Sequence, residues 1–163
     1  MTTTDTNAII ERAAPGVFHR DCFACGASNH FGLHLRFVCD STGVALAHWQ
    51  PTAEFRSYAD RVHGGVIATL LDSSMVHALF ARGVAGVTAE LTIRYLQSVN
   101  VEDMVHVSGR VDSNRHGVYL CRAELHQGGV LAVRASAKFL SMPDLRTGSE
   151  ACDCRETRSL SAS

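Results

Sequence analysis

His63-Gly-Gly-Val-Ile-Ala-Thr-Leu-Leu-Asp72-Ser-Ser-Met-Val-His-Ala-Leu-Phe-Ala-Arg82 is the stretch whose reading decides the fold. It holds no proline, and Val66, Ile67, Leu70, Leu71, Met75, Val76, Leu79 and Phe80 cover most of a helical wheel. A helix that is apolar on nearly all sides belongs in a core. One polar stripe interrupts it: Thr69, Asp72, Ser73 and His77, spaced i, i+3, i+4, i+8 along a single face. A lone carboxylate in such a helix is costly to bury unless something uses it. Gly64 and Gly65 let a foreign group approach the unpaired backbone N–H donors of the first turn.

Outward from the helix, Gly83 and Gly86 make an exit turn, and four strand-like runs follow at 87–96, 104–111, 118–126 and 130–140. In the first, Val87, Ala89, Leu91, Ile93 and Tyr95 face one way, and Thr88, Glu90, Thr92 and Arg94 the other. Turns at 113–117 and at Gln127-Gly128-Gly129 join the later runs into an antiparallel meander. Upstream, 33–37 alternates as a strand, Ser41-Thr42-Gly43 turns, and 44–49 returns until Pro51 ends it. Residues 52–62 read as a polar loop with a solvated Asp60-Arg61 pair. One long helix and about six antiparallel strands predict an α+β domain, the sheet wrapped around a central helix.

With 163 residues one domain is expected, and the chain is long enough to bury a core. It divides into an N-terminal extension at 1–21, with a short helical lead-in at Ala8-Ile9-Ile10, a domain at 22–141, and a polar tail at 142–163 expected to be disordered. A net charge of −1 without a basic run gives no sign of nucleic-acid binding. No apolar run approaches the ~20 residues of a membrane span. The first residues lack the order of a signal peptide, so a cytoplasmic, reducing setting is expected. Six cysteines are then free thiols or metal ligands. Cys22-x-x-Cys25 has the spacing of half a zinc site, for which Cys152-x-Cys154 would be the other half. A turn opening the domain is the preferred reading, and no metal is assigned. Cys39 and Cys121 read as small core fillers.

The ordered set His63-Gly64-Gly65, an apolar stretch, Asp72, Gly86-Val87-Thr88 and Leu91-Thr92-Ile93-Arg94-Tyr95 resembles the hotdog-fold acyl-CoA thioesterases, in their phenylacetate-degradation (PaaI-like) branch. The resemblance spans roughly 22–140 and implies a hotdog fold. It also implies hydrolysis of a medium-chain or aromatic acyl-CoA, with coenzyme A present only as part of the substrate and no other cofactor. Thr88 matches a position where such enzymes carry a hydroxyl that orients water. Ser57 stands where they commonly place a polar side chain, often an amide, so serine is a departure. The proline usual after the Tyr95 position is replaced by Gln97-Ser98-Val99. The Cys-x-x-Cys-Gly opening is itself a feature of similar thioesterases.

A thioester hydrolase needs an oxyanion donor and a nucleophile. The Gly65 N–H, or Gly64 beside it, lies at the positive end of the helix and suits the first role. Asp72 suits the second, either as general base on water or by direct attack to give an anhydride. Seven residues of helix put them about 10 Å apart, too far to serve one carbonyl within one chain. A two-fold dimer with adjacent antiparallel helices would bring Gly65 of one subunit to Asp72 of the other. The expectation is therefore a homodimer with paired sites at the subunit interface, or a homotetramer built from two. His63 reads as a cap that holds the loop, and His77 as pocket lining or packing. Arg94 and Arg115 read as rim contacts for coenzyme A phosphates. The competing readings are an acyl-CoA-binding sensor without turnover and an enoyl-CoA hydratase or dehydratase on the same fold. The latter needs a histidine–carboxylate pair, and His63 and Asp72 are poorly placed to make one within a chain.

Overall fold

The computed structural model describes residues 19–142. The helix forms as one piece, α1, Gly64–Phe80. His63 is its N-cap: the ring Nδ1 accepts the Gly65 N–H at 2.9 Å, satisfying a donor that every helix start leaves over. At the other end the Gly83 and Val84 N–H groups return to the carbonyls of Phe80 and Leu79. Gly83 sits at φ +69°, where glycine carries no side-chain penalty.

Six strands form one antiparallel sheet: β1 Val38–Cys39, β2 Ala45–Trp49, β5 Gly86–Tyr95, β6 Val105–Arg115, β7 Val118–Gln127 and β8 Val130–Ser141. Their spatial order is β1-β2-β6-β7-β8-β5, so β5 is a long edge strand hydrogen-bonded on one side only. The helix packs on one face of this sheet. Leu70, Leu71, Met75 and Leu79 are fully buried with Val105, Val107, Leu125, Val133 and Phe139. The closest approach is at Gly109 on β6, where a Cβ would lie 2.3–2.6 Å from the backbone of Ser74 and Met75. Cys39 and Cys121 are buried fillers, as the sequence suggested.

The helix, the four long strands and the α+β class agree with the sequence reading. Three local expectations do not. Residues 33–37 alternate in burial but form no ladder, because the Leu33 and Leu35 N–H groups bond to Phe23 and Ala24 carbonyls in the opening turn. His34, at φ +51°, also breaks the extension, and the strand begins only at Val38. The loop at 52–62 contains a 3-10 turn, Ala53–Phe55, and a small hairpin of β3 (Arg56–Tyr58) and β4 (Arg61–Val62). Its Asp60–Arg61 pair is present at 2.8 Å and exposed, and Arg61 also bonds to Asn100.

The third correction matters most. A bulge between Thr88 and Glu90 adds a residue to β5, so Thr88 lies opposite Phe139 while Glu90 lies opposite Lys138. Phe139 faces the helix, and Lys138 faces away, paired with Glu90 at 2.6 Å. Thr88 therefore shares a side with Leu91, Ile93 and Tyr95, not with Glu90, Thr92 and Arg94 as strict alternation predicts. The lead-in at 8–10, most of the 1–21 extension and the tail beyond 142 lie outside the described residues.

Replacing Gly109 with alanine would force helix and sheet apart. An expected loss of about 3 kcal/mol, at the upper end of overpacking costs, is readable as a lower urea midpoint with an unchanged slope.

Candidate active site

Buried on α1 are Ile67, Leu70, Leu71, Ser73, Ser74, Met75 and the residues from His77 to the end. What remains more open is Gly65, Val66, Ala68, Thr69, Asp72 and Val76, a stripe along one side of the helix. Ser73 and His77, read with the polar stripe in the sequence, thus turn inward, and Gly65 and Asp72 share the open side.

Asp72 is half-buried. Its Oδ1 accepts a hydrogen bond from the Thr88 hydroxyl at 2.8 Å, a contact that exists because the bulge turns Thr88 towards the helix. Burial raises the Asp72 pKa above the ordinary carboxylate value, and the Thr88 hydrogen bond opposes part of that rise. Asp72 lines a cleft of about 280 Å³ together with Ser73, Val76, His77 and Val87, and His19, Cys22 and Cys25 line it too. His77 is 6% exposed, and its Nε2 has no hydrogen-bond partner among the described residues. Burial, with His19 adding a smaller push, lowers its pKa to about 4, so it is a neutral imidazole at physiological pH.

The glycine end of the helix opens on a different cleft of about 370 Å³, lined by Gly64, Ile67, Tyr95 and the 96–99 segment. There the Tyr95 hydroxyl donates to the Gly64 carbonyl at 2.8 Å. The Gly65 N–H is held by His63, whereas the Gly64 N–H makes no hydrogen bond among the described residues. A single chain thus carries the acid and the helix N-terminus in two separate openings.

The other residues singled out in the sequence lie apart from the carboxyl. Ser57 is exposed on β3. Arg94 is on the outward face of β5, opposite Arg134, so it does not share the Thr88 face. Arg115 ends β6 beside a hairpin turn of His116-Gly117, tighter than the 113–117 turn read from the sequence because 113–115 pair with β7. Sequence reasoning missed Val76 and His19 in the Asp72 cleft and Tyr95 at the glycine end. Tyr95 had a signal, since it shares an alternating face with Leu91 and Ile93. His19 had none, lying in a segment without periodicity. No helix among the described residues is long and apolar enough to cross a membrane.

Residues 60–133 match the family model of the thioesterase superfamily. Comparison with curated proteins finds no match. Among solved structures, one described as a thioesterase superfamily protein is 21% identical over 80% of this chain and 68% of its own, with a TM-score of 0.72. The Escherichia coli PaaI protein, from the phenylacetic acid degradation operon, is 19% identical over 68% of this chain and 80% of its own, TM-score 0.63. A hypothetical thioesterase from Streptococcus pneumoniae, solved with coenzyme A, is 19% identical over 61% of this chain and 82% of its own, TM-score 0.59. Similar structures also include an aspartate-to-alanine and a threonine-to-alanine variant of a hypothetical thioesterase from that organism. The architecture is the hotdog fold of these structures, among them the PaaI protein of the branch that the sequence resembles.

A raised aspartate pKa has a consequence for stability. Between the unfolded value and the raised folded value the native state holds more protons, so stability falls as pH rises through that window. Asp72→Asn removes the charge that burial disfavours. The variant is expected to melt above the parent at neutral pH, the gap closing as pH falls into the carboxylate range, in paired thermal melts across pH.

Proposed function

Starting from a hotdog chain of thioesterase superfamily type, we propose that the protein is an acyl-CoA thioesterase, releasing a free acid and coenzyme A. The observation that carries this is the Asp72–Thr88 hydrogen bond, 2.8 Å long, between two residues that line one cleft. An isolated carboxylate with raised basicity, positioned by a hydroxyl, is the equipment of a base or nucleophile rather than of a structural contact. Support comes also from the pneumococcal variants. The aspartate and the threonine replaced there are 16 residues apart, the separation of Asp72 and Thr88. Coenzyme A in the structure of a hypothetical thioesterase from the same organism supports the carrier.

In this reading the Thr88 hydroxyl fixes Asp72 Oδ1 and leaves Oδ2 to take a proton from water or to attack the thioester carbon. The carbonyl oxygen is held by a backbone N–H at the helix start, from Gly65 once His63 yields it, or from Gly64. The two belong to different subunits of a homodimer. Two features support that: the two clefts at opposite ends of one open helix face, and the unpaired outer edge of β5. Arg94 and Arg115, on exposed faces, are proposed to meet coenzyme A phosphates, and Ser57 to sit at the rim. A medium-chain or aromatic acyl group is the proposed preference, resting on the PaaI-like resemblance; His77 and Val76 would meet it. A tetramer of two such dimers is compatible with this arrangement. A hydratase reading loses ground because His63 is engaged with Gly65 and Asp72 with Thr88, so they make no histidine–carboxylate pair.

Thiol release from a panel of acyl-CoAs tests the activity. Asp72→Asn should lower kcat/KM by about 10²–10⁴-fold, the range for loss of a general base. Thr88→Val removes a bond favouring the ionised acid, so the acidic limb of the pH–rate profile should move to higher pH. Binding of acyl-CoA without thiol release would mean a sensor instead.

Shared sites are tested by mixing two inactive forms, Asp72→Asn and Gly65→Pro, which lacks the backbone donor. Random redimerisation would leave one intact site in each mixed dimer and restore about a quarter of the parent activity. No recovery from verified mixed dimers would exclude the pooled arrangement.

A further inference from the structure

The lining of the Asp72 cleft carries a cluster that the proposed hydrolysis does not use. His19, Cys22 and Cys25 place one ring nitrogen and two sulfurs all within 4.8 Å of one another. The arrangement is built by the opening turn. The Gly26 N–H closes onto the Cys22 carbonyl at 2.8 Å, and a Cβ at Gly26 would strike the Arg20 and Cys22 backbone at 2.4–2.6 Å. Only glycine permits a loop this tight, and the loop brings both sulfurs to one side. His19 Nδ1 then reaches Cys25 Sγ at 3.3 Å. Tetrahedral zinc with bonds of about 2.3 Å to sulfur and about 2.05 Å to nitrogen separates such a pair by roughly 3.6 Å.

A second observation points to the same spot. The unpartnered Nε2 of His77 is buried at the wall of this cleft, its ring centroid 6.3 Å from that of His19. A buried polar atom without a partner is costly to leave so, and a neutral imidazole has a lone pair to offer. We propose that His19, Cys22 and Cys25 hold a zinc ion, with the His77 ring turning to supply the fourth donor.

The donor set suits the ion. Two sulfurs and two imidazoles in a tetrahedral arrangement select zinc or its cobalt surrogate over magnesium or calcium. On binding, each thiol gives its proton to solvent and each sulfur forms a bond to the metal. Two thiolates offset the charge of the ion, so the closed site is neutral and compatible with its partly buried place. The ion would pin the opening segment to the C-terminal half of α1, where His19 already packs edge-on against Phe80 at 4.8 Å. It differs from the pairing of Cys22 and Cys25 with Cys152 and Cys154, since the ligands come from the opening turn and the helix and none from the tail.

The test uses the full chain, purified reduced and without chelators, and reads metal rather than activity. About one zinc per chain is expected. Cobalt added to the chelator-treated parent should give thiolate charge-transfer absorption with tetrahedral d–d bands. Cys22→Ser, Cys25→Ser and His19→Ala should each weaken zinc binding by more than the ~10–100-fold typical of losing an outer-shell partner. His77→Ala should weaken it as well, and the double change Cys152→Ser with Cys154→Ser should leave it intact. Folded parent protein that takes up no zinc and shows no cobalt–thiolate band would overturn the proposal. So would zinc lost with the tail cysteines, or retained after loss of Cys22 and Cys25.

Discussion

One helix has to bury most of its surface against the sheet and still keep a carboxylate within reach of solvent. Gly109 permits the first by letting β6 meet the helix backbone at Ser74 and Met75 with nothing between. The second depends on α1 lying over the centre of the sheet while β5, at its edge, stays open. Tilting the helix towards β5 would cover Asp72, and tilting it away would strip the hydrogen bond from Thr88. The bulge in β5 reconciles the two. It turns one hydroxyl inward where alternation alone would point it out, and it leaves the Glu90–Lys138 pair on the outer face.

That bulge also marks the limit of what periodicity reveals. Helix and long strands were legible because their apolar residues recur at 3.6 and 2.0, and a buried face enforces those periods. Asp72 was legible because a charge within an apolar helix contradicts its surroundings. An inserted residue in a strand leaves no compositional trace, so Thr88 was assigned to the wrong face even though its pairing with Asp72 follows from the fold. The run at 33–37 misled for the opposite reason. Its burial does alternate, but its backbone donors are taken by Phe23 and Ala24, and alternation without a ladder is not a strand. His19 was illegible altogether, since its position is set by the Cys22–Gly26 turn folding back onto α1.

Environment, more than residue type, separates the histidines. His63 is spent on the helix N-terminus, where its ring satisfies a backbone donor. His77 is stacked on Phe37 at 4.2 Å and buried, which keeps it neutral and leaves one nitrogen unmatched. His48 and His106 touch across strands on the exposed face, away from the helix. Among the histidines of the described residues, His77 and His19 line the cleft that holds Asp72. His77 is held neutral by burial, so in the proposed hydrolysis the proton that Asp72 takes comes from water.

This places a constraint on Asp72. A base is effective when its pKa is high enough to accept a proton and low enough to be ionised at working pH. Complete burial would push the carboxyl towards permanent protonation, and full exposure would return it to the weak basicity of a surface aspartate. Half-burial with one hydroxyl donor holds it between those limits. The Thr88 hydrogen bond does this without adding a positive charge, which would stabilise the carboxylate far more and blunt it as a base. A threonine, short and stiff about its Cβ, suits that position better than a lysine or arginine, and the strand bulge is what brings so short a side chain within 2.8 Å of the acid.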